Sequence, residues 1–228
     1  MHKSEILAFH GWGFEASCWQ GWEQEFGEHI SFETFERGYF GKAKHTPIFM
    51  AKDTFKIIMT HSFGLHFCPE NLFKEADMLV IFNGFIEFHP VAAQFKRRSK
   101  LVIKQMINEL KGKPAKVLRD FYENTYKPQM PQPLPESKPD KELLLKDLKM
   151  LNTHTLKVSL LKSIHKICIL HAFEDAIVHR RKGRSLYDSL NEKAKYFEIK
   201  NAGHALPFTH KEQCLQFIEP EFNDLIST

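Results

Sequence analysis

Three short segments, each set at the end of an apolar run, constrain this chain more than any other feature. They are Met59-Thr60-His61-Ser62-Phe63-Gly64, Phe173-Glu174-Asp175 and Asn201-Ala202-Gly203-His204. Serine, acid and histidine therefore arrive in that order, each just after a segment that reads as a buried strand. A fold that obeys this pattern brings three strand ends to one edge of a sheet. The residue types explain why they belong together. A serine hydroxyl is a weak nucleophile until an imidazole takes its proton and a carboxylate orients that imidazole.

Six segments read as strands: Glu5 to His10, Ile30 to Phe35, Phe55 to His61, Ala76 to Phe85, Lys166 to Ala172 and Lys195 to Lys200. The nearly unbroken apolar character of Ala76 to Phe85 suits a parallel strand covered on both faces. Helical patterns lie between or after them, at Leu65 to Lys74, Val178 to Leu190 and Lys211 to Ile226. Alternating strands and helices predict an α/β class, a mostly parallel sheet flanked by helices. The alternation stops between Pro90 and Ser163. There, helical stretches at Ser99 to Leu110 and Ala115 to Tyr126 precede the proline-rich joint Lys127 to Pro135, and an amphipathic stretch follows from Lys141 to Leu151. Proline fixes φ and removes a backbone donor, so the joint is a loop or hinge. The expected organisation is one domain, with a core of residues 1–89 and 164–228 and a helical lid insertion at 90–163.

Composition narrows the function. With 228 residues, 43% of them hydrophobic, the chain can bury one substantial core. No run reaches the roughly 18 uncharged apolar residues of a membrane span, and the apolar start near Met1 passes straight into His10-Gly11-Trp12-Gly13 without a small-residue cleavage site. Cys18, Cys68, Cys168 and Cys214 show no metal or disulfide spacing. These features predict a cytoplasmic protein with free thiols; a monomer is expected. No C-x-x-C pair, H-E-x-x-H motif or P-loop lysine pattern occurs, so neither a metal nor a cofactor is expected. The net charge of +4 hides an asymmetry. Residues 90–163 carry 16 Lys and Arg against 7 Asp and Glu, a net of +9, and the rest of the chain nets −5. Such an insert suits an anionic partner. Its lysines interleave with leucine and valine as in an amphipathic helix, with few aromatics placed for stacking on bases, which speaks against nucleic acid.

Thr60-His61-Ser62-Phe63-Gly64 fits G-x-S-x-G except that threonine stands at the first glycine. That motif is a strained strand-to-helix turn exposing its serine, and a β-branched threonine is an imperfect fit. The competing reading is a serine that merely caps the helix after it. Asp175 lies three residues past its strand, and Glu174 beside it is the rival acid; Ile177-Val178 beginning the next helix favours Asp175. His204 is chosen among 13 histidines because it follows the last strand through a flexible glycine. The glycines of His10-Gly11-Trp12-Gly13 permit backbone amides to point into the site, and the amides of Trp12 and Phe63 are placed as an oxyanion hole. Phe85, Phe88 and Phe121 are candidates for lining an acyl pocket.

Taken together these residues resemble the α/β-hydrolases, and within them the pimeloyl-[acyl-carrier protein] methyl ester esterases of biotin synthesis. The resemblance spans most of the chain: His10-Gly11-Trp12-Gly13 followed by Trp19, the elbow His61-Ser62-Phe63-Gly64, the basic helical lid, and Gly203-His204-Ala205-Leu206-Pro207-Phe208. Glu36-Arg37-Gly38-Tyr39-Phe40-Gly41 looks like a variant branch whose elbow also lacks its first glycine. The resemblance implies an α/β-hydrolase fold with a helical lid, Ser62 as nucleophile, Asp175 as orienter, His204 as base, and Trp12 and Phe63 as oxyanion donors. It also implies an acyl carrier protein as partner, docked by basic lid residues, here matched by region and charge to Arg97, Arg98, Lys104, Lys111 and Arg119. The alternatives are a general carboxylesterase or thioesterase, or an inactive hydrolase fold that binds an acidic carrier protein.

Overall fold

The computed structural model describes residues 4–27 and 30–227. Its centre is one all-parallel sheet of six strands: β1 (Ser4–Phe9), β2 (Ile30–Thr34), β3 (Phe55–His61), β4 (Met78–Phe82), β5 (Lys166–Ala172) and β6 (Ala194–Ile199). Their order across the sheet is β2-β1-β3-β4-β5-β6. The chain steps outward from β1 to β2, then crosses back to β3 and proceeds the other way. This reversal leaves a crevice beyond the carboxyl ends of β1 and β3, where open parallel sheets bind ligands.

Side chains alternate between two apolar layers, as the strand period of two requires. Leu7, Phe9, Ile58, Leu79, Ile81, Ile167 and Ile169 face one layer, which takes in α1 (Gly64–Phe67), α2 (Glu70–Glu75) and α6 (Arg181–Asp188). Ile6, Ala8, Ile57, Met59, Val80, Phe82 and Leu170 face the other, with Trp19, Trp22 and residues of α8 (Lys211–Ser227). The remaining short helix, α7 (Leu206–Thr209), follows the His204 loop.

Three expected elements are shorter or divided. The fourth strand spans Met78–Phe82 rather than Ala76 to Phe85. At its start Asp77 bonds Lys56 twice, its amide donating to the Lys56 carbonyl at 2.8 Å and its carboxylate accepting the Lys56 amide at 2.9 Å, and at its end Asn83 turns the chain with φ of 51°. The helix expected over Leu65 to Lys74 is split into α1 and α2 at Cys68-Pro69, since the residue before a proline is driven to extended backbone. The helix expected from Val178 begins only at Arg181, because the backbone of Val178 is engaged elsewhere: its amide by Asp175 and its carbonyl by His171.

Between β4 and β5 lie α3 (Ala93–Gly112), α4 (Pro114–Tyr126) and α5 (Lys141–Leu151). An antiparallel bridge between Glu87 and Thr155 joins the two ends of this insert, and Leu156 beyond it already packs in the sheet layer. Helix α5 is capped by Asp140, whose carboxylate accepts the Leu143 amide. The apolar stripes of the insert, including Ile103, Leu110, Val117, Leu118, Leu144 and Leu148, cover Trp12, Tyr39 and Phe63 at the strand ends. Among the described residues the four cysteines are unbridged, and no helix is long and apolar enough to cross a membrane.

Candidate active site

Ser62 follows β3 directly and has φ of +54°, a left-handed conformation that a non-glycine residue holds only under constraint. The turn is possible because its neighbours are small. A Cβ on Gly64 would collide with the Phe9 carbonyl oxygen, and one on Gly11 would lie 3.0 Å from the Ser62 Cβ. Thr60, in the place of the first motif glycine, is fully buried with its hydroxyl 3.4 Å from the Val80 carbonyl. The sheet therefore accommodates the β-branched residue two positions before the serine.

The three sequence-selected side chains meet. Ser62 Oγ lies 2.8 Å from His204 Nε2, and His204 Nδ1 lies 2.7 Å from Asp175 Oδ2. The other carboxylate oxygen of Asp175 accepts the amides of Ile177 and Val178, both at 2.8 Å. With a carboxylate at Nδ1, that nitrogen bears the hydrogen and the Nε2 lone pair faces the serine hydroxyl. An imidazole so placed can accept the serine proton, and the carboxylate stabilises the resulting cation. Glu174 takes no part. Its carboxylate accepts the Ala202 amide at 3.2 Å and stands on the exposed side of the loop.

Burial sets the charge of the neighbouring histidines. Desolvation lowers the pKa of His61 well below its usual value, and the adjacent His204 lowers it further. His171, beside Asp175, is likewise lowered chiefly by burial. Both rings are uncharged near neutral pH, so neither competes with His204 for positive charge.

The Trp12 indole nitrogen donates to the Leu144 carbonyl at 3.0 Å, which fixes the loop after β1 under α5. The backbone amides of Trp12 and Phe63 donate to no other group among the described residues, and both residues line a cavity with Ser62 and His204. That cavity holds about 550 Å³. Phe88 and Phe121 line it, as do Phe95, Val102, Ile103 and Met106 of α3 and Leu148 and Leu151 of α5. Phe85 does not. It is buried in the core, its ring against His66 at 4.8 Å between centroids, because the turn at Asn83-Gly84 sends it beneath the site. Arg98 on one lip and His179 and Arg181 on the other bring basic groups to the cavity. Arg97, Lys104 and Lys111 on α3 and Arg119 on α4 are exposed and lie outside the cavity lining. None of these four, nor Arg98, forms an ion pair among the described residues. Arg181 and His179 carried no sequence signal, being two of many basic residues in a surface segment. No group of three or more His, Cys, Asp or Glu side chains is arranged to hold a metal among the described residues.

No protein-family profile matches the chain, and no curated protein matches it. Solved structures do match. MenH from S. aureus is 12% identical, with a TM-score of 0.74 over 100% of this chain and 96% of the other. The esterase EaEST from Exiguobacterium antarcticum is 14% identical, with a TM-score of 0.71 over 100% of this chain and 93% of the other. MGS-M2, an alpha/beta hydrolase enzyme from a Medee basin deep-sea metagenome library, is 15% identical, with a TM-score of 0.70 over 96% and 90%. At such identities the likeness is one of architecture: the chain has the α/β-hydrolase fold.

Proposed function

We propose that this chain is a serine carboxylesterase whose substrate is the methyl ester of a pimeloyl group carried on acyl carrier protein. The observation behind the esterase reading is the continuous relay Ser62–His204–Asp175, at 2.8 and 2.7 Å, opening into an apolar cavity. Ser62 Oγ attacks the ester carbonyl carbon as His204 Nε2 takes its proton. The amides of Trp12 and Phe63 receive the negative oxygen, a contribution of roughly 10²–10³ in turnover per donor. The tetrahedral adduct collapses, the C–O bond to the methoxy group breaks, and methanol leaves with the proton from His204. Water then attacks the acyl-enzyme, again giving its proton to His204; the bond from the acyl carbon to Ser62 Oγ breaks as His204 returns that proton to Ser62, and the free carboxylate is released. Among the structural neighbours, the naming of EaEST as an esterase supports the same class of reaction.

The finer reading rests on charge and shape. A cavity of about 550 Å³ suits a medium acyl chain, and the insert's net +9 suits an acidic carrier. The purified protein is expected to hydrolyse p-nitrophenyl butyrate and to react with a fluorophosphonate probe, and Ser62→Ala to lose both. Retained turnover in Ser62→Ala would overturn the assignment. Carrier-bound pimeloyl methyl ester is expected to exceed dimethyl pimelate in kcat/KM. Equal values would leave a general carboxylesterase, and an unlabelled wild-type protein would leave an inactive fold.

A further inference from the structure

A histidine on a loop must be fixed by its backbone as well as by its ring. The His204 carbonyl oxygen accepts two hydrogen bonds, from His61 Nε2 and from Asn83 Nδ2, both at 2.8 Å. The two donors stand at the carboxyl ends of adjacent strands, His61 closing β3 just before Ser62, and Asn83 following β4. Asn83 is itself fixed on every side. Its amide donates to the Leu170 carbonyl at 2.9 Å, and its side-chain oxygen accepts the Ala172 amide at 2.8 Å. Its φ of 51° is a conformation asparagine tolerates better than most residues. From the other side, the insert presses on the same loop: Ala205 donates to the Thr125 carbonyl at 2.9 Å, and Gly203 abuts the Lys127 carbonyl too closely for any side chain.

We infer that His61 and Asn83 are positioning residues, which clamp the His204 carbonyl to the ends of β3 and β4 and thereby set the His204 ring over Ser62. The inference rests on the esterase reading of this site. His61 reads as a dedicated donor. Its Nε2 faces a carbonyl, which only accepts, so the ring hydrogen is there. Its Nδ1 is buried and meets no partner. An unpartnered buried nitrogen is a cost that a leucine of similar volume avoids, and the one hydrogen bond the His61 ring makes is the bond to His204. The His61 and His204 rings also pack at 4.9 Å between centroids, so the clamp holds ring and backbone together. Displacement of a reacting group by about 1 Å costs on the order of 10²-fold in rate, which is the scale of effect a lost clamp should have.

The two nitrogens of His61 give the test its discrimination. A glutamine amide nitrogen reaches the place of Nε2, and an asparagine amide reaches only that of Nδ1. With p-nitrophenyl butyrate and sites counted by fluorophosphonate titration, His61→Leu and His61→Asn are expected to lower kcat by about 10- to 100-fold with KM within about twofold. His61→Gln is expected to recover most of the loss. Asn83→Asp removes the donor while keeping the acceptor for Ala172, and should reproduce the loss in kcat even if His61→Leu does not fold. Full kcat in His61→Leu or Asn83→Asp overturns the inference, as does His61→Gln performing no better than His61→Asn. A wild-type protein that neither labels at Ser62 nor turns over the ester overturns the esterase reading and the clamp with it, whereas an active wild type with indifferent variants overturns the clamp alone.

Discussion

Helices α5 and α3 belong to the same insert and are held in opposite ways. Helix α5 is bolted to the sheet. Its Asp147 is fully buried and accepts from two Arg37 side-chain nitrogens, Nε and Nη2, at 2.7 Å and from the Tyr39 hydroxyl at 2.8 Å. Leu144 accepts the Trp12 indole, and Tyr39 accepts the Asp140 amide at 2.7 Å. Helix α3, although twenty residues long, buries only Ile103 and Leu110, and its Phe95, Leu101 and Val102 are each more than half exposed. One half of the insert thus fixes the loops after β1 and β2, and with them Trp12. The other half forms a lip of the cavity whose apolar residues lack full cover from the protein itself. In the esterase reading, an acyl chain would supply that cover.

The largest expected effect tests the bolt. Asp147→Ala leaves the partly covered Arg37 guanidinium and the buried Tyr39 hydroxyl without their shared acceptor. Breaking a buried pair by removing one partner costs about 3–5 kcal/mol. Urea unfolding should show a loss of that size for Asp147→Ala, while Phe95→Ser on α3 should stay within about 0.5 kcal/mol of wild type. Equal losses would remove the distinction between the two helices.

Acid probes the strand ends beneath the insert. His10, His61, His66 and His171 are buried at the strand ends and in α1, and neither α3 nor α4 contains a histidine. Burial lowers the pKa of all four, in His66 to about 3. The unfolded chain binds these protons near pH 6.5 while the folded chain does not. The stability is therefore present above that pH and is lost as pH falls toward each folded value. Each such histidine contributes up to about 1.4 kcal/mol per pH unit below 6.5. Replacing His66 by Gln should flatten the pH dependence of the unfolding free energy between about pH 6 and 4 by that slope. An unchanged slope would mean that His66 is protonated in the folded protein.

Much of the sheet was legible because parallel strands buried on both faces must be apolar throughout, as Met78–Phe82 is. The positions of Ser62, Asp175 and His204 were legible for a related reason: each lies within a few residues past a strand end, and strand ends gather on one edge. Glu174 against Asp175 turned on a single residue of offset, which decides whether the carboxylate points along the sheet edge or away from it. What the sequence hid depends on long-range pairing. Arg37 and Asp147 are 110 residues apart, and nothing local marks them as partners. His61 looked like motif filler, and Asn83 lay inside the strand expected over Ala76 to Phe85. The break between α1 and α2 was written in Cys68-Pro69, and a helical period read across it concealed the proline. Phe85 was indistinguishable from Phe88 by type, and only the turn at Asn83 and Gly84 separates core from cavity.

The smallest expected effect concerns the two lips. Arg98 stands on the weakly held helix, and Arg181 at the start of α6 on the body of the protein, both lining the cavity that holds Ser62. If both lips receive an anionic part of the substrate beyond the apolar chain, Arg98→Gln and Arg181→Gln should each lower kcat/KM for a carrier-bound ester by about tenfold, or about 1.4 kcal/mol. The same variants should leave p-nitrophenyl butyrate turnover within about twofold, because that ester presents no anion to the rim. Added salt should erase the wild-type advantage on the carrier substrate, since exposed charges are screened within about 10 Å at 0.1 M ionic strength. A loss confined to Arg98→Gln would place recognition on α3 alone. Losses of equal size on both substrates would mean that the arginines shape the cavity rather than read charge, and the contrast between a fixed and a receptive half of the insert would then rest on packing only.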